Sequence, residues 1–257
     1  TKFKNNNDPD SYLFVCGVSE RFSINDIKLT KEDHNNVKGF RFIGGIVEIN
    51  NVFFTDLPGA IKIDQGVLQA NIENCIFSDC TAGTGFVVEI ANNDCTFEHN
   101  IINFTNTNDQ IANGRALNIV SSGNVNARYN KFINCFSKDG GNSAVKINQN
   151  GGNVEFTYNE IDGISSVKFG LIDITCGGKM VNIDHNIFSN LREGKGGNDG
   201  YVFQISGAPK EYSFTNITFK NIKTGSLLWG SFGLWMQPVG DKITFTNCHF
   251  IGNQHTG

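Results

Sequence analysis

Two neighbouring stretches decide the fold: TFEHNIINFT from Thr96 to Thr105 and NARYNKFINC from Asn126 to Cys135. Each begins with alternating residues, passes through an Asn-containing step, reaches an apolar anchor and ends in a polar turn. The same pattern recurs along the chain, with anchors at Phe54, Phe77, Ile102, Phe132, Ile161, Phe188, Phe219 and Phe250. Successive anchors are 23 to 31 residues apart, because the loops vary in length while the strands do not. The chain is therefore built from internal repeats.

A second strand follows each anchor and alternates in the same way. It has an apolar-polar-apolar core, as in Val88-Glu89-Ile90, Leu117-Asn118-Ile119 and Val145-Lys146-Ile147. Period-2 alternation points the outer two residues inward, and no segment keeps the period of a helix. Short strands with one apolar face cannot bury that face alone, but stacked repeats can. The pattern predicts an all-β parallel β-helix of about eight coils.

An asparagine lies two residues before the anchor on four consecutive repeats: Asn100, Asn130, Asn159 and Asn186. Stacking would align them in one inward column, which is tolerable only if each amide bonds to its neighbours and to the turn backbone. We therefore expect a structural asparagine ladder. The composition agrees, since 35 Asn and 29 Gly against only 4 Pro suit many polar turns between strands that must donate backbone hydrogen bonds.

Charge, hydropathy and cysteine usage exclude several classes of protein. The 257 residues carry a net charge of −4 with scattered Lys and Arg, whereas a nucleic-acid binder normally has a basic stripe. No apolar run reaches about 18 residues, and the N-terminus has no signal-peptide pattern, so we expect no membrane span. His99 and His185 are three repeats apart, too far to share a metal, and we interpret them with Tyr129 and Tyr158 as turn packing.

The repeats resemble those of the right-handed parallel β-helix, or pectin-lyase-like, superfamily over roughly residues 40 to 252. More narrowly, they are similar to the Phe-x-x-Asn and Gly-Gly-x-Ile repeats of surface proteins related to polymorphic membrane proteins. The matching residues are Phe97 to Asn100, Phe156 to Asn159, and Gly140-Gly141 before Val145-Lys146-Ile147. This fold carries both polysaccharide-cleaving enzymes and non-catalytic surface proteins, so function has to be argued from the outward residues.

One outward face carries charged residues suited to chemistry: Glu73, Glu98, Arg128 and Glu155. The resemblance implies that in lyases of this fold carboxylates bind Ca²⁺ and an Arg or Lys removes a proton next to a uronate. In the hydrolases, paired carboxyl groups act as acid and base. The alternative is a solvated face on which Arg128 neutralises Glu98. We favour the solvated face, because no aspartate pair or adjacent basic pair repeats the catalytic motifs.

Two tryptophans and two sequons are the remaining candidate sites. Trp229 and Trp235 could form a stacking platform for a sugar ring, but burial under a loop or at a chain end is the simpler explanation. Asn103 and Asn216 begin Asn-x-Thr sequons and are candidate N-glycosylation sites, which favours a secretory route.

We divide the chain into an irregular N-terminal cap, residues 1–45, and a parallel β-helix, residues 46–257, which continues or is covered beyond residue 257. The last repeat lacks a second strand, so we expect a continuing array or self-association through this open edge. The hypothesis is a non-enzymatic extracellular or cell-surface protein, an adhesin or filament component that contacts glycans or matrix without a cofactor. The alternative is a lyase or hydrolase that acts on an acidic polysaccharide, with Ca²⁺ in the lyase case.

Overall fold

A computed structural model describes residues 11–30, 37–81, 85–104, 115–137, 144–163, 165–166, 172–193, 203–207, 209–224, 234–236 and 241–255. The described residues form strands and turns, with no helix among them. They form a parallel β-solenoid, which confirms the fold class predicted from the repeat. No helix in this part of the chain is long and apolar enough to cross a membrane.

The strands are short after the first few. In chain order they are β1 (Tyr12–Thr30), β2 (Lys38–Thr55), β3 (Ile61–Glu73), β4 (Ile76–Ser78), β5 (Val88–Glu98), β6 (Ile101–Asn103), β7 (Leu117–Ser121), β8 (Val125–Arg128), β9 (Lys131–Ile133), β10 (Phe136–Ser137), β11 (Val145–Gln149), β12 (Val154–Thr157), β13 (Glu160–Asp162), β14 (Ser165–Ser166), β15 (Ile172–Cys176), β16 (Met180–Asp184), β17 (Ile187–Ser189), β18 (Arg192–Glu193), β19 (Phe203–Gly207), β20 (Glu211–Thr215), β21 (Thr218–Lys220), β22 (Lys223–Thr224), β23 (Leu234–Met236), β24 (Lys242–Thr246), β25 (His249–Ile251) and β26 (Gln254–His255).

Each strand pairs in parallel with its equivalent on the next turn, so equivalent residues stack in columns along the solenoid. We call one set of paired positions a level. Anchor Phe132 pairs with Ile102 below and Ile161 above, and the second-strand residue Ile147 pairs with Ile119 and Ile174. The strands β10, β14, β18, β22 and β26 form a separate sheet of five. The long strands β2 and β3 run across a corner, where their pairing shifts register after Phe42.

The inward residues form one continuous core. The anchors from Phe54 to Phe188 are almost completely buried, and Phe54 stacks on Phe77 with ring centroids 4.8 Å apart. At the last described level, Phe245 and Phe250 continue the stacking on Phe214 and Phe219 at 4.7 Å and 5.0 Å, but are about half exposed. Aromatic stacking and apolar burial together hold neighbouring levels in register.

The number of turns is about six, so the prediction of eight coils is wrong in count. Anchor residues count the levels of one strand column, whereas a turn also needs the other strands of its level. Among the described residues, the sheet of short strands has five strands, beginning at β10, which is fewer than the eight levels that the anchors mark.

The N-terminal part of the described chain also joins the stack. β1 pairs in parallel with β2 along most of its length, with register shifts between Cys16 and Arg21. Phe40 and Phe42 are buried in β2. The division of the chain at residue 45 stays a prediction.

Candidate functional surface

The face predicted to carry chemistry is built from β3, β5 and β8. Glu73 pairs with Glu98, and Glu98 with Arg128, so the three side chains share one outward column. Arg128 Nε lies 3.4 Å from Glu98 Oε1, and both side chains are only partly exposed. The next level carries Thr157, which is buried. The guanidinium therefore has a counter-charge beside it, but its buried Nε makes no hydrogen bond within the described part of the chain.

Glu155 does not join this group. It lies in the neighbouring column, between Asn126 and Asn182. Its Oε2 accepts a hydrogen bond from Asn182 Nδ2 at 2.8 Å. Among the described residues, no group of three or more His, Cys, Asp or Glu side chains could hold a metal ion.

The four ladder asparagines lie in one buried column at the corner between two strands. Asn130 Oδ1 accepts from the backbone N of Asn100 at 3.0 Å, and Asn130 Nδ2 donates to Phe97 O at 2.8 Å. Asn159 Oδ1 accepts from Asn130 N, and Asn186 Oδ1 from Asn159 N, in the same way. Each amide therefore links the backbones of neighbouring turns. It satisfies backbone N–H and C=O groups at the corner that no strand ladder pairs.

The structure contains a second inward polar column that was not predicted from the sequence. Asn92, Ser121, Gln149 and Cys176 pair on successive levels and are buried. Gln149 Nε2 donates to Gly123 O at 2.7 Å, and the Cys176 thiol donates to Gln149 Oε1 at 3.4 Å. The available signal was positional, since each residue lies two positions after the isoleucine that ends the apolar-polar-apolar core of its second strand. The four residue types differ, which hid the column.

The outward column at the same corner as the asparagine ladder holds aromatic rings on four levels. His99, Tyr129, Tyr158 and His185 stack with centroids 4.8, 4.9 and 4.6 Å apart and interplanar angles of 4°, 18° and 10°. All four are exposed, Tyr129 by 44% and Tyr158 by 45%. We name these four residues the aromatic ridge. The interpretation as turn packing describes the contacts between rings but not their exposure.

The backbone of the aromatic ridge is left-handed. Its four φ angles lie between +51° and +57°, a region that favours Gly and Asn over aromatic residues. Left-handed backbone costs about 1–2 kcal/mol per residue with a Cβ, and aromatic stacking returns about 0.5–1.5 kcal/mol per pair. For four residues and three pairs the cost is about 4–8 kcal/mol and the return about 1.5–4.5 kcal/mol, so stability of the isolated chain does not explain why rings occupy these positions.

Among the described residues, the cysteines do not form a reactive site. All seven are free, and burial raises the pKa of Cys75 to about 11 and that of Cys80 to about 12. Burial also raises the pKa of Cys95 and Cys135. A thiol acts as a nucleophile only as thiolate, so these four are inert near neutral pH.

The remaining predicted sites have less structural description. Trp229 lies outside the described residues, and Trp235 lies in β23, paired with Gln204. Asn103 ends β6, and its Oδ1 is buried without a hydrogen-bond partner in the described part of the chain. Asn216 is at the corner, where its Nδ2 donates to Asp184 Oδ1 and its Oδ1 accepts from Asn247 Nδ2.

Comparison with known proteins gives no relative for this chain. No family model matches it, and no curated protein or solved structure matches it significantly. The geometry defines a class, the parallel β-solenoids with a polar outer face.

Proposed function

We propose that the protein is a non-enzymatic β-solenoid of the extracellular space or cell surface, an adhesin or structural component. It contacts an elongated glycan or matrix polymer along the outward face of β8, β12, β16 and β20. The resemblance to right-handed pectin-lyase-like and polymorphic-membrane-protein-like repeats supports this assignment at the level of sequence pattern. The proposal adds no cofactor.

The observation that carries the proposal is the internal pairing of charge on this face. Arg128 is held by Glu98, Glu155 by Asn182, and Asp184 by Asn216. Asn126, Ser213 and Thr215 add amide and hydroxyl groups to this face, on strands spaced about 4.8 Å apart. Such a face offers a polymer many equivalent hydrogen-bonding positions.

The alternative is a lyase or hydrolase that acts on an acidic polysaccharide. It is supported by the alignment of Glu73, Glu98 and Arg128 in one column. A lyase of this kind would need Arg128 as base and Ca²⁺ on the carboxylates, whereas a hydrolase would need two carboxyl groups at a set separation. The shared ion pair with Glu98 works against the first role.

One experiment separates the two functions. The chain is incubated with uronic-acid polymers and neutral polysaccharides, with and without Ca²⁺, and both product release and retention on the immobilised polymers are measured. The matched variants are Arg128→Ala and Arg41→Ala, since Arg41 forms an ion pair with Asp64 on another face. Retention without turnover supports the proposal. If Arg128→Ala abolishes turnover and Arg41→Ala retains it, the lyase or hydrolase alternative replaces the proposal.

Localisation is tested through the sequons. Expression through a eukaryotic secretory pathway should give a mass increase that Asn103→Gln, Asn216→Gln or both remove. The side chain of Asn216 is partly exposed, and its amide is already hydrogen-bonded through both Nδ2 and Oδ1, so we expect less complete glycosylation there than in an open loop. If the secreted protein carries no added mass at either site, the sequons no longer support a secretory route.

Self-association through the last described level is a second candidate. Ile243, Phe245 and Phe250 of this level are exposed by 36%, 52% and 46%. A second copy stacked end to end would cover them with its own strands. Phe245→Asp with Phe250→Asp should then abolish concentration-dependent growth in light scattering, whereas Leu68→Asp, an exposed residue in β3, should leave it unchanged.

A further inference from the structure

The outward corner column that contains the aromatic ridge has nine described residues, and the eight that follow Asp26 read the same in both directions. These eight have φ between +51° and +57° and are, in order, Asn51, Asn74, His99, Tyr129, Tyr158, His185, Asn216 and Asn247. The centre of this palindrome lies between Tyr129 and Tyr158. A twofold axis through that point, perpendicular to the solenoid, would superpose the pattern of one chain on that of a second.

The adjoining column has the same symmetry in its chemistry. Lys131 and Glu160 lie on the two central levels, and Ile101 and Ile187 on the two outer levels. The twofold axis would place Lys131 of each copy opposite Glu160 of the other, and Ile101 opposite Ile187. Lys131 and Glu160 are about half exposed despite their own 2.7 Å ion pair, and Ile187 is 48% exposed. These groups are accessible to a second chain.

We propose that two copies of this chain associate side by side and antiparallel through the aromatic ridge and the adjoining Ile101, Lys131, Glu160 and Ile187. The ring faces cover one another within each chain, so only ring edges, hydroxyls and imidazole nitrogens are presented outward. Sugar recognition by stacking would need a free ring face. A second chain can contact the ring edges alone. Its side chains repeat at the same strand spacing, so they stay aligned with those of the first chain along the whole contact.

Charge selects the antiparallel arrangement and the side of the ridge that takes part. A parallel pair would place Lys131 opposite Lys131 and Glu160 opposite Glu160. On the other side of the ridge, the twofold axis relates Glu98 to Asp184, which are both acidic. Each of these already has a partner of its own, Arg128 and His185 respectively. The contact therefore includes the Lys131 side and leaves the Glu98 side for other ligands.

The contact is small. Four levels span roughly 14 Å between the outer rings, and two columns of side chains give a contact smaller than a standard specific interface. We expect a dimer with a dissociation constant of about 10 to 100 µM, which is measurable by sedimentation equilibrium between about 1 µM and 500 µM. Such a contact between single molecules becomes strong when many copies are fixed on one surface.

The first test replaces rings with the residue that the same column uses on its flanking levels. Tyr129→Asn with Tyr158→Asn keeps the left-handed corner and should raise the dissociation constant at least about tenfold. Leu68→Asn, which changes an exposed apolar residue outside the ridge, should leave it unchanged. A wild-type chain that stays monomeric throughout this range overturns the proposal, as does a dimer that survives the double exchange.

The second test asks whether Lys131 and Glu160 face the second chain. Lys131→Glu and Glu160→Lys should each abolish the homodimer, because each puts like charges opposite each other twice. An equimolar mixture of the two variants should restore a dimer that holds one copy of each, measured as a heterodimer by native mass spectrometry. The ion pair within each chain stays broken in the mixture, so a purely internal role cannot produce the recovery. If both variants are folded by circular dichroism and the mixture stays monomeric, the antiparallel contact is wrong.

Discussion

Neighbouring residues at one corner of the solenoid form two columns of opposite character. The inward column reads Val52, Cys75, Asn100, Asn130, Asn159, Asn186, Ile217 and Cys248, and the outward column, one residue earlier, reads Asn51, Asn74, His99, Tyr129, Tyr158, His185, Asn216 and Asn247. On the four middle levels the amide is inside and a ring is outside. On the flanking levels the amide is outside and an apolar residue or a thiol is inside.

The comparison shows that each of the eight levels from Asn51 to Asn247 keeps one asparagine at this corner and only its side of the backbone changes, whereas the level before them has Asp26 outside and Ile27 next to it. Inside, Asn130 bonds to buried backbone that has no other partner. Outside, Asn74 Nδ2 donates to Asn50 Oδ1 at 2.8 Å on the solvated face. The inward amides are needed by the fold, whereas the outward position tolerates either residue type and is open to selection for contacts with other molecules.

The largest effect is expected from breaking the inward column. Asn130→Ala leaves the Asn100 N–H and the Phe97 carbonyl buried without a partner, so the free energy of unfolding should fall by about 3 kcal/mol. Urea unfolding followed by circular dichroism measures it.

Asn126→Ala is the matched control for that measurement. Asn126 lies on the same level in β8 but points outward, so its removal should change the free energy of unfolding by less than about 0.5 kcal/mol. Equal losses in the two variants would contradict the distinction between inward and outward amides.

The parts predicted from sequence are those in which one residue type repeats at one position. The anchor phenylalanines and the four asparagines recur in a fixed order, and period-2 alternation assigns them to the inside. The number of turns could not be read in the same way, because loops between Phe77 and Phe132 vary in length and anchors do not report whether a level is closed.

Columns of mixed residues were hidden for a different reason. Gln149 and Cys176 share a column but have no common chemistry, and only the register of β11 and β15 aligns them. The exposure of Tyr129 and Tyr158 depends on the left-handed backbone before each asparagine, which turns the side chain outward. Hydropathy cannot show this, since aromatic residues occur on both sides of a strand.

A smaller effect is expected from the thiol at the start of the inward column. Burial raises the pKa of Cys75 from 9.0 to about 11, so the native chain keeps a proton that the unfolded chain releases. The stability contribution is therefore full below pH 9 and is lost as the pH rises towards 11. From pH 9 to pH 11, the unfolding free energy of the wild type should therefore fall by about 2 kcal/mol more than that of Cys75→Ala.

The control for the alkaline series is Val52→Ala, which changes the buried neighbour of Cys75 in the same column and removes no titrating group. Its decline in unfolding free energy with pH should match that of the wild type. A Cys75→Ala curve that runs parallel to the wild type at all pH values would mean that this thiol titrates alike in both states.

The smallest effect is expected where the outward column changes from ring to amide. Tyr158→Asn loses stacking with Tyr129 and His185 but relieves an aromatic residue held at φ +57°, so the two terms offset each other. Measured on the monomer at low protein concentration, the free energy of unfolding should change by less than about 1 kcal/mol. Tyr158→Ala, which loses the same stacking without gaining a residue suited to left-handed backbone, should be less stable than Tyr158→Asn. If Tyr158→Asn instead lost as much stability as Asn130→Ala, the ring would be part of the folding requirement, and the contrast between the two columns would no longer support a surface selected for contact with a second chain.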